Sequence, residues 1–137
     1  MADLSTDQLA IAFCDLTLPK EQWTHEAHLR VGLWHVLRYP VGQALVQLRE
    51  RISAYNLACG GENTDAAGYH ETITRFFVGR IEQFVEAADR NRPIDDLAKE
   101  LVRVLGDKDA PLAYYSRERL MSVEARRGWV DPDLQPL

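Results

Sequence analysis

The chain has 137 residues, of which 46% are hydrophobic and 27% are charged, and its formal net charge is −5. This length and composition are typical of a single globular domain spanning residues 1–137, and they argue against extensive disorder. The negative net charge disfavours nucleic acid as a partner, because a phosphate backbone would be repelled.

The cysteine content and the hydropathy pattern bear on where the protein works. Two cysteines, Cys14 and Cys59, are too few for the disulfide framework of a small secreted domain. The first residues carry neither a basic region nor a long apolar run, and no segment approaches the ~20 apolar residues of a membrane span. We therefore expect a cytoplasmic protein with free thiols and no membrane partner.

The first three predicted helices are separated by prolines and begin at recognisable caps. Residues 5–8 have the form of a capping box, in which a serine and a glutamine three residues later satisfy each other's backbone N–H groups. This first helix ends before Pro19. A second helix is predicted over residues 24–39 with Thr24 as its N-cap, and a third over residues 40–58.

The second half of the chain also has a helical pattern. A polar loop at residues 60–67 precedes a fourth predicted helix over residues 66–90. A fifth helix is predicted over residues 93–105, and short helical pieces over residues 112–127. No segment alternates between apolar and polar residues for long enough to form a strand. The expected fold is all-α, an irregular bundle of about five helices.

Three of the four histidines are candidates for one site. His25 and His28 are three residues apart, so they share one face of the second helix. Two imidazoles at this spacing can ligate one metal ion at ~2.0–2.1 Å. His35 lies about 10.5 Å further along the helix than His28, too far to share that ion, and is interpreted as structural or as a surface residue.

The topology predicts that His70 joins this pair. The tight connection at Pro40 favours antiparallel packing of the second and third helices, which makes the fourth helix parallel to the second. The helix starts that carry His25, His28 and His70 then lie at the same end of the bundle. Partial positive charge at a helix start favours neutral imidazole, the form that binds metal or acts as a base.

Neighbouring residues have candidate roles in the same site. Glu71 follows His70 and is a candidate general base, or an acceptor that orients a ligating histidine. Trp23 either packs as a staple at the start of the second helix or forms a wall of a ligand pocket. Tyr69 is a second candidate ligand-binding residue. Alternatively the histidines form a metal-free polar site, or they are purely structural.

Several motifs resemble those of a family of small, uncharacterised bacterial helical proteins. They are W-T-H-x-x-H-L at residues 23–29, G-Y-H-E-T-I-T at 68–74, Y-Y-S at 114–116 and R-R-G-W-V-D-P at 126–132. The resemblance pairs the two histidine motifs, and so implies a shared role for His25, His28, His70 and Glu71. In architecture alone, the expected bundle is also similar to the DinB-like proteins, which hold a metal with three histidines.

These observations lead to two main functional hypotheses. The first is a small metal-dependent enzyme, in which His25, His28 and His70 ligate zinc, nickel or iron and Glu71 acts on a metal-bound water. The second is a non-catalytic module that binds a small molecule or a partner helix at the same end of the bundle. A third hypothesis is a structural or regulatory subunit that acts as a homo-oligomer.

Overall fold

The computed structural model describes residues 3–137, which form seven α-helices and two short 3-10 turns, Lys20–Gln22 and Ala110–Ala113. No strand occurs in this part of the chain, so the all-α prediction is confirmed. None of the helices described is both long and apolar enough to cross a bilayer. The helices are α1 (Thr6–Cys14), α2 (His25–Arg38), α3 (Val41–Ala58), α4 (Glu71–Ala87), α5 (Ile94–Leu105), α6 (Arg117–Leu120) and α7 (Val123–Arg127).

The starts of α1 and α2 have the caps that the sequence predicts. Ser5 Oγ accepts a hydrogen bond from the N–H of Gln8 at 3.1 Å, and the Gln8 side chain accepts one from the N–H of Ser5 at 2.9 Å. Thr24 Oγ1 accepts from the N–H of Ala27 at 3.2 Å. These bonds satisfy donors that a helix start otherwise leaves free, and they fix His25 as the first residue of α2.

Helix α2 is the centre of the bundle, because apolar residues on two of its faces enter two different core clusters. Val31 packs with α1 and α3 in a cluster that includes Phe13 and Tyr55. Leu29 and Leu33 pack with α4 and α5 in the second cluster. Each fully buried side chain of this kind stabilises the fold by about 1.5–3 kcal/mol.

Gly32 lies where α2 packs against α4 beside the site described below. A Cβ atom at this position would lie 2.7 Å from Cδ1 of Ile81 on α4, closer than van der Waals contact allows. A side chain here would therefore require the end of the Ile81 side chain to move.

Helix α4 starts at Glu71 and ends at Ala87, so the predicted range of residues 66–90 was too long at both ends. The loop before α4 has its own hydrogen bonds, including one from the N–H of Tyr69 to Oδ1 of Asn63 at 3.0 Å. Gly68 adopts φ +88°, and a Cβ there would lie 1.9 Å from the carbonyl oxygen of Glu62. This left-handed glycine turns the chain and delays the start of the helix.

The segment after α5 folds back against α4. Ser116 and Ser122 are the N-caps of α6 and α7, and their side chains accept hydrogen bonds from backbone N–H groups at the starts of these helices. Thr72 on α4 donates to the carbonyl of Gly128 at 2.8 Å and accepts from the N–H of Val130 at 3.3 Å. These contacts fix the C-terminal segment against the first turn of α4.

His35 is fully buried between α2 and α3, in line with its interpretation as structural. Its Nε2 faces the Arg51 guanidinium at 2.8 Å and must accept, so Nδ1 carries the proton and donates to the carbonyl of Val31 at 2.8 Å. Burial lowers the pKa of His35 to about 4, and the charges of Arg51 and Arg38 lower it as well. The folded protein therefore holds this imidazole neutral.

Acidification should destabilise the fold through His35. Between pH 6.5 and about 4 the unfolded chain binds a proton on this side chain that the folded chain excludes, so the free energy of unfolding falls as the pH falls. Between pH 7 and pH 5 we expect a contribution of about 2 kcal/mol. Urea denaturation at both pH values measures it, with His35→Gln as the comparison. If His35→Gln lost as much stability as the wild type between pH 7 and pH 5, the assignment of this effect to His35 would be contradicted.

Candidate functional site

A cavity of about 540 Å³ lies between α2, α3 and α4, and its wall is mainly apolar. We call it the histidine pocket. Its volume falls within the range typical of small-molecule sites. The apolar side chains of the wall are Leu29, Leu48, Ile52, Ile73, Phe77, Val78 and Ile81.

The three candidate histidines, His25, His28 and His70, all line this pocket. Most of the lining comes from the first two-thirds of α2, from α3 beyond Leu48 and from the first two-thirds of α4 with the residues just before it. This is the arrangement expected when α2 and α4 run in the same direction and α3 runs opposite to them. Trp23 and Tyr69 also line the pocket.

His28 presents its imidazole to the pocket and has no hydrogen-bonding partner among residues 3–137. Its ring centroid lies 4.0 Å from that of Trp23, with the planes inclined at 67°. The side chain is exposed, but to a concave space surrounded by protein atoms. Desolvation in this setting lowers the pKa of His28 to about 4, and the neighbouring His25 lowers it too. At neutral pH the ring is uncharged and can offer one donor and one acceptor to a ligand.

His25 connects α2 to the end of α5. Its Nε2 lies 3.2 Å from the carbonyl oxygen of Leu105 and donates a hydrogen bond to it, because a carbonyl can only accept. The ring also packs edge to face against Phe77, with centroids 5.1 Å apart. Its centroid lies 6.5 Å from that of His28. The two imidazoles therefore form one polar end of the pocket.

His70 is the N-cap of α4, and both of its ring nitrogens are engaged. Nδ1 accepts from the N–H of Ile73 at 3.1 Å, and Nε2 donates to the carbonyl of Leu120 at 2.6 Å. Burial lowers the pKa of His70; the hydrogen bond to Leu120 opposes this effect and the charge of Arg126 reinforces it. A metal ion could bind either nitrogen only if a hydrogen bond that holds the fold were broken.

Glu71 lies outside the pocket wall and is tied into a network of its own. Arg49 donates to both of its carboxylate oxygens, at 2.8 and 2.7 Å, and the Tyr69 hydroxyl donates to Oε1 at 2.7 Å. Burial by itself raises the pKa of Glu71, but the hydrogen bonds from Arg49 and Tyr69 outweigh it, and the net shift is downward. These contacts make Glu71 a bound carboxylate rather than a free base.

The histidines share a pocket without forming a metal-ligating cluster. In the part of the chain that the structure describes, no three or more His, Cys, Asp or Glu side chains are grouped so as to hold one ion. The three-histidine metal site stays a prediction from the sequence.

A larger groove of about 790 Å³ near α1 is less suited to a ligand. Its lining is more polar, and one of its two cations is already engaged. Arg30 donates hydrogen bonds to the Leu4 carbonyl and to Thr6, and it lies 4.0 Å from a carboxylate oxygen of Asp95. The histidine pocket has the more apolar wall, and two of its polar side chains, His28 and Lys108, have no hydrogen-bonding partner among residues 3–137.

Two side chains at or beside the pocket are not predicted from the sequence. Arg49 holds Glu71 from a different helix, and no local pattern marks a partner 22 positions away. Lys108 lines the pocket from the connection that follows α5. Its only signal in the sequence is its position. Lys108 follows Gly106, where α5 ends, near the end of the bundle that carries the predicted site.

Comparison of the chain with models of protein families, with curated proteins and with solved structures finds no match. The resemblance carried by the two histidine motifs therefore stays a prediction, and the function has to be argued from the pocket itself.

Replacement of His70 should weaken the fold. His70→Ala removes the cap of α4 and the link to α6, and we expect the free energy of unfolding to fall by about 1–3 kcal/mol. Asparagine is a good N-cap but is too short to reach the Leu120 carbonyl as the imidazole does. His70→Asn should therefore be more stable than His70→Ala by about 1 kcal/mol. Urea denaturation of the three proteins at pH 7 measures both effects. Equal stability of wild type and His70→Ala would show that the cap is dispensable.

Proposed function

We propose that this protein binds a small, largely apolar organic molecule in the histidine pocket. The observation that supports this most strongly is a preformed cavity of about 540 Å³ with a mainly apolar wall and polar side chains, including His25 and His28, in its lining. Sites for small molecules generally combine these features, because the apolar wall provides affinity and the polar groups fix orientation.

The polar end suits hydrogen bonding to a ligand head group. His28 is neutral at pH 7 and has no partner among the described residues, so a ligand need not displace a protein group to reach it. Trp23 packs against His28 and is itself stacked on Phe13, with ring centroids 4.5 Å apart. This aromatic packing holds the imidazole in place and reduces the entropy that binding would cost.

Metal-dependent catalysis, the other main expectation, has less support from the geometry. His70 would have to give up a hydrogen bond to ligate a metal, and Glu71 would have to leave Arg49 to act as a base. Binding in the pocket requires neither change. We retain the cytoplasmic location within this proposal, because Cys14 and Cys59 are both free thiols.

A neutral fluorescent probe tests the proposal. N-phenyl-1-naphthylamine should bind the wild type with one site per chain and show enhanced emission in the apolar environment. Ile52→Trp places an indole ring in the cavity in place of an aliphatic side chain and should weaken binding of the probe about tenfold or more. Val46→Trp is the matched control, because Val46 is exposed on the same helix. It should bind the probe as the wild type does.

Absence of saturable binding by the wild type, or equal binding by all three proteins, would refute the proposal. Circular dichroism should first show that Ile52→Trp keeps its helical content. Binding that a chelator abolishes and zinc restores would support the predicted metal site instead.

A further inference from the structure

The charge of the pocket lining differs from that of the whole protein. The sequence has 21 acidic and 16 basic residues, yet the described residues that line the histidine pocket include no aspartate or glutamate. Their one formal charge is the ammonium group of Lys108. A site for a cationic ligand would be expected to contain a carboxylate, so the lining favours an uncharged or anionic ligand.

Lys108 lines the same pocket as the two α2 histidines, His25 and His28. It lies in the connection after α5, whose last residue, Leu105, accepts a hydrogen bond from His25. Lys108 follows Leu105 by three residues, so their Cα atoms are at most about 11 Å apart. A ligand that occupies the pocket can therefore meet the ammonium group as well as an imidazole.

Lys108 is exposed and available for a ligand. It forms no hydrogen bond or ion pair with any residue in the range 3–137. Its neighbours Asp107 and Asp109 do not line the pocket, and the Asp107 carboxylate accepts the N–H of Asp109 at 2.9 Å. The lysine is thus a cation at the pocket without a fixed counter-charge.

We propose that the ligand is a monocarboxylate with an apolar tail, whose carboxylate meets Lys108 and His28 while the tail lies along the apolar wall. This inference rests on the proposed function and adds the charge of the head group. A single carboxylate matches the single cation of the lining. A phosphate monoester would bring a second negative charge, and no arginine lines the pocket to meet it.

Three ligands of equal chain length and different charge test the inference. Decanoate, decanol and decylammonium would each be titrated against bound N-phenyl-1-naphthylamine at pH 7. We expect decanoate to displace the probe at a concentration about fivefold or more below that of decanol, as a charge-assisted hydrogen bond would give. Decylammonium should bind more weakly than decanol.

Two variants with the same net charge locate the effect. Lys108→Met should remove the preference for decanoate over decanol. Lys20→Met is the control, because Lys20 is exposed and does not line the pocket. It should preserve the preference, which excludes a general effect of net charge.

The outcomes separate the two proposals. If the wild type shows no saturable binding of the probe, the proposed function fails. If decanol binds as tightly as decanoate, or if Lys108→Met keeps the preference, the pocket stands and the assignment of a carboxylate ligand is overturned.

Discussion

The carboxylate of Glu71 receives two hydrogen bonds from Arg49 and one from Tyr69, while the adjacent His70 caps α4 and bonds to Leu120. These contacts hold the first turn of α4 to α3 on one side and to α6 on the other. A negative side chain at a helix start is also favourable for the helix dipole. The pocket lies beside this turn, so its shape depends on where α4 begins.

Adjacent residues of one motif therefore have different roles. His70 and Glu71 are engaged in holding α4, whereas Tyr69 contributes to the same network and also to the pocket wall. On α2, His25 is bonded to the end of α5 and His28 is left without a partner among the described residues. The least engaged of the three histidines is thus the one best placed to meet a ligand.

The local features were predictable and the long-range ones were not. The capping residues Ser5 and Thr24 follow from short-range patterns. The late start of α4 was missed because it involves Gly68, which adopts φ +88° and packs closely against the backbone of Glu62, a contact that the local pattern does not reveal. The placement of His25, His28 and His70 around one pocket followed from topology. Their hydrogen bonds did not, because the partners Leu105 and Leu120 lie 80 and 50 positions away.

The most direct test of the pocket as a binding site is ¹⁵N NMR of the histidine side chains, with and without N-phenyl-1-naphthylamine at pH 7. The ring nitrogens of His28 should shift on binding, while those of His35, which is buried outside the pocket, should stay unchanged. His70 should remain protonated at Nε2 throughout. Unchanged His28 signals at saturating probe, or a change of the His70 tautomer, would contradict this account.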